Sequence, residues 1–528
     1  MGLAGANKMK NQCWHRLSFT ASLLPVCLLL SQLMLSQQSI AQAPAISKGD
    51  GSKFDSSLIE ALAKDLAQRP FEPAELAPNS PLRKLDYDDY RRIVFNLEAA
   101  IWRDRNSPFQ LQLFHPGFLH TNPVRLNLVG EGQAKALLFS TQVFDYHEDL
   151  PVIDSVDAGG YAGFRIHYPI NTPTRHEEFL VFLGASYFRG VGKDQFYGLS
   201  ARGLAVNTVG AGGEEFPQFT EFWIETPAHN ATHIIIHALL DSASLTGAYH
   251  FRVQPGDATR VDVEATLFPR RDLERVGIAP LTSMFIFDAT NQITFDDFRS
   301  AVHDSDGLKI QQANGETIWR PLANPSQLQV SSFGKTKPTG FGLLQRHREF
   351  SQYQDAEARY DKRASLWIEP QEDWGEGEVV LVEIPSQEEI NDNIVAFWQP
   401  TGGLKAGESH RYAYTMSWGN EPGATLAGRV LETAVGAVNG SDERLFVIDF
   451  SNGDSIKDVM SDPNAVSINM FSSAGEITDV SGTLVEVTGN YRVYLKLDPV
   501  DVDLAELRVA LEVNGNPWGE TWLYRWSR

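Results

Sequence analysis

The sequence predicts an all-β protein built from antiparallel sandwiches, and three observations lead there. Apolar and polar residues alternate over short segments along most of the chain, the pattern of half-buried strands. Gly, Pro and Asn punctuate those segments as turns, with none of the regular strand–helix alternation that builds a parallel sheet. At 528 residues, the chain also exceeds the size at which one hydrophobic core keeps growing, so two or more domains are expected.

The elements follow in order. Residues 44–53 are small and polar and read as loose. A helix is expected over 56–68, where Leu58, Ile59, Leu62 and Leu66 share one face and Pro70 lies just beyond. A second helical pattern covers 87–102. Strands dominate after that. Phe109, Leu111 and Leu113 alternate with Gln110 and Gln112, and Val261, Val263, Ala265 and Leu267 alternate with Asp262, Glu264 and Thr266. Segments 379–384, 445–450, 483–487 and 492–497 read the same way. A boundary is expected near 400–428, where Gln399-Pro400-Thr401-Gly402-Gly403 and Asn420-Glu421-Pro422-Gly423 bracket one strand-like stretch. About 100 residues of short strands follow, the size of one immunoglobulin-like sandwich.

The first 43 residues read as an export signal. Lys8, Lys10 and Arg16 precede an apolar run over 17–35, and small-residue cleavage sites follow at Ser39-Ile40-Ala41 and Ala41-Gln42-Ala43. The run is about long enough to span a membrane, so an uncleaved anchor is the competing reading. Ser18, Thr20, Ser22, Pro25 and Ser31 dilute it, and no stable membrane insertion is expected once the signal is cut. Cys13 and Cys27 both lie inside this segment, so disulfides, thiolate catalysis and Cys-ligated metal are excluded for a mature chain. Lys and Arg number 45 against 67 Asp and Glu, a net charge of −22. Such a chain lacks bulk attraction for phosphate backbones or anionic lipid, so nucleic acid is not an expected partner.

Several motifs fail on their spacing. Gly198-Leu199-Ser200-Ala201-Arg202 lacks the second glycine of a nucleophile elbow. The glycines of 210–213 are not followed by Lys-Ser/Thr, so no P-loop is present. His233 and His237 bracket three isoleucines and read as strand residues rather than metal ligands. Asp304-Ser305-Asp306-Gly307 opens like a calcium loop, but its glycine comes two positions early. Neither a metal nor a cofactor is expected.

Paired carboxylates remain as candidate catalysts. Two acidic turns lie among aromatic segments, His303-Asp304-Ser305-Asp306-Gly307 and Glu388-Glu389-Ile390-Asn391-Asp392-Asn393. A carboxyl desolvated by apolar neighbours holds its proton longer and serves as a general acid. Sugars stack on aromatic rings, and Trp319, Trp367, Trp374 and Trp398 are available nearby. The plain alternative is that turn aspartates form turns or caps and sandwich tryptophans are core.

Longer motifs narrow the choice. Leu183-Gly184-Ala185-Ser186-Tyr187-Phe188-Arg189, Tyr197-Gly198-Leu199-Ser200-Ala201-Arg202-Gly203-Leu204-Ala205 and Gly213-Glu214-Glu215-Phe216-Pro217 resemble the periplasmic glucan biosynthesis family, proteins G and D. So do Ala279-Pro280-Leu281-Thr282-Ser283-Met284-Phe285, Trp319-Arg320-Pro321-Leu322, Gly340-Phe341-Gly342-Leu343-Leu344-Gln345-Arg346, and the segments 303–308 and 391–398. The match runs in order from about Phe54 to Trp526, more loosely toward the end. The absence of a twin arginine from the signal brings it closer to the G type.

The resemblance implies a large galactose-mutarotase-like β-supersandwich followed by a small C-terminal immunoglobulin-like β-sandwich. The expected division is a signal peptide at 1–43, a large domain with a glucan cleft at 44–415, and the small domain at 416–528. It also implies a periplasmic protein of osmoregulated glucan biosynthesis, acting on a β-1,2-glucan backbone as an inverting glycoside hydrolase. The alternatives are a glucan-binding module without turnover and an assembly factor that partners an inner-membrane glucan synthase. By position in the motifs, Asp392 corresponds to the general acid and Asp304 to a base acting through water. Glu389 matches a further acidic cleft residue, and Tyr360 an aromatic loop residue. Trp319, Arg346 and Trp398 are added as substrate contacts from chemistry and neighbourhood alone. Asp392 is expected to be the more buried of the two aspartates or the more apolar in its surroundings, with Glu389 the runner-up acid.

Overall fold

The computed structural model describes residues 51–105, 107–150, 153, 158–291, 295–334, 337–423, 427–451, 462 and 465–528. The expected signal at 1–43 and both cysteines lie outside the described residues. The described chain is all-β, with two large sheets packed face to face. One runs from the edge strand Ser52–Lys53 through Leu245–Gln254, Thr259–Pro269, His410–Gly419, Ser365–Pro370, Pro338–Leu344 and Gly307–Gln312 to Thr317–Pro321. The other runs from Gln329–Phe333 through Gly377–Glu383, Ile394–Pro400, Val276–Ser283, Tyr187–Gly190 and Glu177–Leu183 to Gln110–Phe114.

The inward side chains of both sheets make one core. Phe182 of Glu177–Leu183 stacks on Phe188 at 5.0 Å and meets Phe251, from the opposite sheet, edge-on at 5.4 Å. Trp418, fully buried, closes on Phe188 at 5.8 Å. Aromatic pairs in these geometries add about 0.5–1.5 kcal/mol each beyond the area they bury.

The expected first helix forms over Ser57–Leu66 and lays Ile59 and Ala63 against Trp223, Leu239, Ala248 and Phe268 on the back of the long sheet. The Thr246 hydroxyl donates to the Ala63 carbonyl at 2.6 Å and pins it there. The second expected helix, over 87–102, does not form. What forms is one α-helical turn, Tyr87–Tyr90, started by Asp86, whose carboxylate accepts from the Asp89 N–H, and one 3-10 turn at Leu97–Ala99. The β-branched Ile93 and Val94 then pair as the strand Ile93–Phe95 with Phe144–Tyr146, and strand pairing overrides the helical spacing.

The long sheet continues into the C-terminal strands. Thr317–Pro321 pairs in parallel with Asn516–Ser527, which is followed in the sheet by Leu504–Val513 and Val466–Ser472. A separate four-stranded sheet, Val430–Ala437, Arg444–Phe450, Asn490–Asp498 and Glu476–Val485, covers them. Phe446 meets Trp522 at 6.1 Å and Tyr524 at 5.5 Å in the small core between the two layers. The strand His410–Gly419 spans the boundary expected after residue 415 and stays paired with Ser365–Pro370 through Gly419.

Gly307 sits where the two cores meet, directly under the Trp319 indole, and a Cβ there would collide with that ring. Gly307→Ala is therefore expected to destabilise the protein by about 1–3 kcal/mol through overpacking. Chemical denaturation monitored by tryptophan fluorescence measures it, and an unchanged midpoint would refute the packing described.

Candidate active site

Two turns far apart in sequence hang from one short stretch of backbone. After the strand Val276–Ser283 the chain passes through Met284 into Phe285–Phe287, which pairs with Val302–His303. The Asp304 N–H donates to the Met284 carbonyl at 2.8 Å, and the hydroxyls of Ser305 and Ser283 are bonded at 2.8 Å. On the other side, Asn393 accepts from the Phe285 N–H at 2.8 Å. Its amide donates to the Phe285 carbonyl at 2.9 Å and to the Ile384 carbonyl at 3.0 Å. All three bonds go to backbone, so the side chain acts as a splice. Asp304 and Asp392 are thereby brought to one site.

Their surroundings differ. The Asp304 side chain is 10% exposed, and its Oδ1 lies 3.6 Å from Nε of Arg363 with no hydrogen-bond partner. Burial pushes its pKa up to about 6, opposed by Arg363 and reinforced by the negative charges of Asp392 and Glu389. The Asp392 side chain is 30% exposed and faces Nη2 of Arg189 at 3.8 Å. Burial raises its pKa too, against the pull of Arg189 and Arg202. The expected order of burial is thus reversed, because Asp304 sits in a tight turn between strands while Asp392 lies on the groove wall.

Glu389 is held as a carboxylate. Arg299 pairs with it at 2.5 Å, and the Tyr360 hydroxyl donates to its other oxygen at 2.5 Å. Arg299, followed by Tyr360, lowers its pKa, so Glu389 does not retain the proton that a runner-up acid requires. Tyr360 itself is buried, with Arg363 5.2 Å from its ring. Its hydroxyl meets Glu389 and its ring meets the Arg363 that faces Asp304; burial above all, then Glu389 and Asp304, raise its pKa.

The groove consists of two adjoining cavities. Asp392, Arg189 and Tyr187 line one of about 460 Å³. Arg363, Glu357 and Gln195 line another of about 390 Å³. Glu178 and Tyr197 border both. Arg189, Arg363, Glu178 and Tyr197 are not among the site residues expected from sequence. Arg189 and Tyr197 stand inside quoted motifs, which was the available signal. Arg363 carried none, since only folding brings it to Asp304.

Three expected substrate contacts are not in the groove. Trp398 is fully buried in the main core, 5.3 Å from Trp374, and Gly377 lies flat against its ring. Trp319 is sandwiched between Gly307 and the Arg346 guanidinium, which stacks on it at 3.4 Å. Arg346 is spent on Glu520, at 2.6 and 2.8 Å. No ring face or donor of these residues is open to a sugar.

His237 lies on the strand Ile234–Asp241, with Nε2 3.0 Å from Glu225. Among the described residues no group of three or more His, Cys, Asp or Glu side chains is placed to hold a metal ion. No helix among them is long and apolar enough to cross a membrane.

The model of the family described as "Periplasmic glucan biosynthesis protein, MdoG" matches residues 54–526. The chain belongs to this family. Like the family, it is periplasmic. Among its glucan biosynthesis relatives, Glucans biosynthesis protein G of Shewanella frigidimarina is 46% identical over 482 residues, 90% of this chain and 85% of that one. Glucans biosynthesis protein G 1 of Shewanella oneidensis is 47% identical over 478 residues, 90% of this chain and 87% of that one. Among solved structures, a galactose mutarotase related enzyme from Lactobacillus acidophilus aligns with a TM-score of 0.22 at 9% identity, covering 50% of this chain and 94% of its own.

The Asp304 environment has a measurable consequence for stability. Its folded-state carboxyl keeps a proton up to about pH 6, whereas the ordinary value is 3.8. Below 3.8 both states are protonated and the contribution is complete. As pH rises the unfolded chain ionises first, so stability falls until the folded carboxyl has also ionised. Relative to Asp304→Asn, the wild type is expected to lose on the order of 3 kcal/mol between pH 3.5 and pH 8. Urea denaturation of both proteins across that range checks it, and a constant difference would overturn the assignment.

Proposed function

We propose that this protein works in making periplasmic glucans and does so by cutting a β-1,2-glucan backbone with inversion. In this reading Asp392 is the general acid and Asp304 the base. The observation that carries it is a pair of desolvated aspartates, each beside its own arginine: Asp392 lines the groove, and Asp304, whose pKa the charge of Asp392 raises, sits behind Arg363 of the adjoining cavity. Asp392 gives its proton to the glycosidic oxygen as the C–O bond breaks. A water adds to the anomeric carbon from the opposite face and passes its proton to Asp304, directly or through further water. Glucan lying over Asp392 removes the water that still reaches it and raises its pKa further, so the acid is completed by the substrate. Asp304, with its pKa near 6, is mostly ionised at neutral pH and able to accept. Its unpartnered Oδ1 supports that role.

Membership of the family and relatives named glucans biosynthesis protein G support the glucan role. The β-1,2 linkage rests on the resemblance of the motifs. Of the described residues, those through Gly419 form the catalytic domain and those after it a small sandwich that supports it. An inner-membrane glucan synthase is the partner expected to supply nascent chains. One observation favours a second reading. Asp304 is more enclosed than Asp392, as in a site that holds glucan for modification without turnover.

Incubation of the purified protein with linear β-1,2-glucan, with sizing and anomeric analysis of the products, separates the two. Shortening with inverted product is expected. Asp392→Asn and Asp304→Asn are each expected to lower turnover by about 10²-fold or more while glucan binding stays within a few-fold, since proton transfer by a placed side chain contributes about 10²–10⁴-fold. Binding without any shortening by the wild type would establish the holding role instead.

A further inference from the structure

The turn that carries Asp304 is tied to the C-terminal sandwich through its neighbour Asp306. Asp306 lies two residues further on and is almost fully enclosed, with its side chain 8% exposed. Its carboxylate accepts from the backbone N–H of Arg346 and of His347, and from Nδ1 of His347 at 2.5 Å. The other ring nitrogen of His347 lies 3.2 Å from Glu432, on the C-terminal strand Val430–Ala437. Both ring nitrogens of the imidazole thus meet a carboxylate. Although burial works against it, the charge of Asp306 and its hydrogen bond, joined by Glu432, push the His347 pKa up to about 11. The ring is therefore a doubly protonated cation throughout the physiological range. Next to it, Arg346 reaches Glu520, which also accepts from the Val430 N–H at 2.9 Å.

We infer that His347 is a positioning residue for Asp304, clamping the Asp306 end of the turn to Glu432 of the C-terminal sandwich. Its consequence for catalysis rests on the hydrolase reading; the clamp itself does not. Asp306 at one end and the Met284 carbonyl bonded to the Asp304 N–H at the other fix the backbone between them. A carboxylate so enclosed is stable as an anion only while its donors stay in place. Loss of the His347 cation therefore frees the turn before it frees the surrounding strands. The C-terminal sandwich thus acts on the reaction without contributing a group to the groove.

The test compares wild type, His347→Ala, Glu432→Gln and His347→Lys by hydrogen exchange over residues 302–308 and by kinetics on linear β-1,2-glucan. Glu432→Gln keeps the shape of a half-exposed side chain, so it remains informative should His347→Ala not fold. Exchange in the turn is expected to rise about tenfold in His347→Ala and less in Glu432→Gln, with Leu245–Gln254 unchanged. Turnover is expected to fall about 10–100-fold in His347→Ala with KM within twofold, since misplacement of about 1 Å costs on that order. His347→Lys is expected to regain part of it. Adding Glu432→Gln to His347→Ala is expected to change nothing further, because Glu432 acts only through the ring. Unchanged exchange in the turn of both single variants overturns the clamp. Undiminished turnover in both, when the wild type is active, overturns the role of His347 in positioning Asp304. A loosened turn in a protein whose wild type cuts no glucan upholds the clamp and removes the hydrolase reading alone.

Discussion

The site depends on one pair of backbone residues, Met284 and Phe285. Asn393 reaches Phe285 across 108 residues of sequence and exchanges both of its amide functions with it. A buried amide with donors and acceptor all satisfied tolerates a single register, since any slip leaves polar groups orphaned. The same backbone receives the Asp304 N–H through Met284. Rigidity is thus concentrated where two turns meet, and the carboxylates inherit their separation from peptide geometry rather than from contact with each other.

Asp304 and Asp306 show how far environment outweighs sequence distance. Both are buried in the same turn. Asp306 collects two N–H donors and the His347 cation and is held well below the usual carboxylate range. Asp304 has one guanidinium at 3.6 Å and no hydrogen bond at Oδ1, and it is pushed upward. The number of donors within reach decides which carboxylate is mortar and which keeps a chemically usable lone pair. Arg299 repeats the logic at Glu389, where it also binds Asp297 and Asp355.

What was legible in the sequence follows the same division. Period-two alternation at 261–267 marked a long strand, because one of its faces is core and the other is not. Helical spacing at 87–102 is misleading, since pairing of Ile93 with Tyr146 and Val94 with Asp145 cannot be read locally. The two aspartates were visible as acidic turns among aromatics. The tryptophans beside them were misplaced because composition does not say which side of a sheet an indole faces. Arg346 was misread for a related reason. Its partner, Glu520, stands 174 residues away. Arg363 was invisible altogether, since its contact with Asp304 exists only in the folded chain.

The parallel pairing of Thr317–Pro321 with Asn516–Ser527 has a consequence for how the protein is made. Thr521 donates to Glu316 across 205 residues, so the long sheet keeps an open edge until the last strands arrive. Non-local closure of this kind is slow, and an unpaired edge invites pairing with another chain in the meantime. The Asp304 turn adjoins that edge through Gly307 and Pro321. A nascent chain therefore carries the Asp304 turn well before the strand that closes the adjoining edge of the sheet has been made.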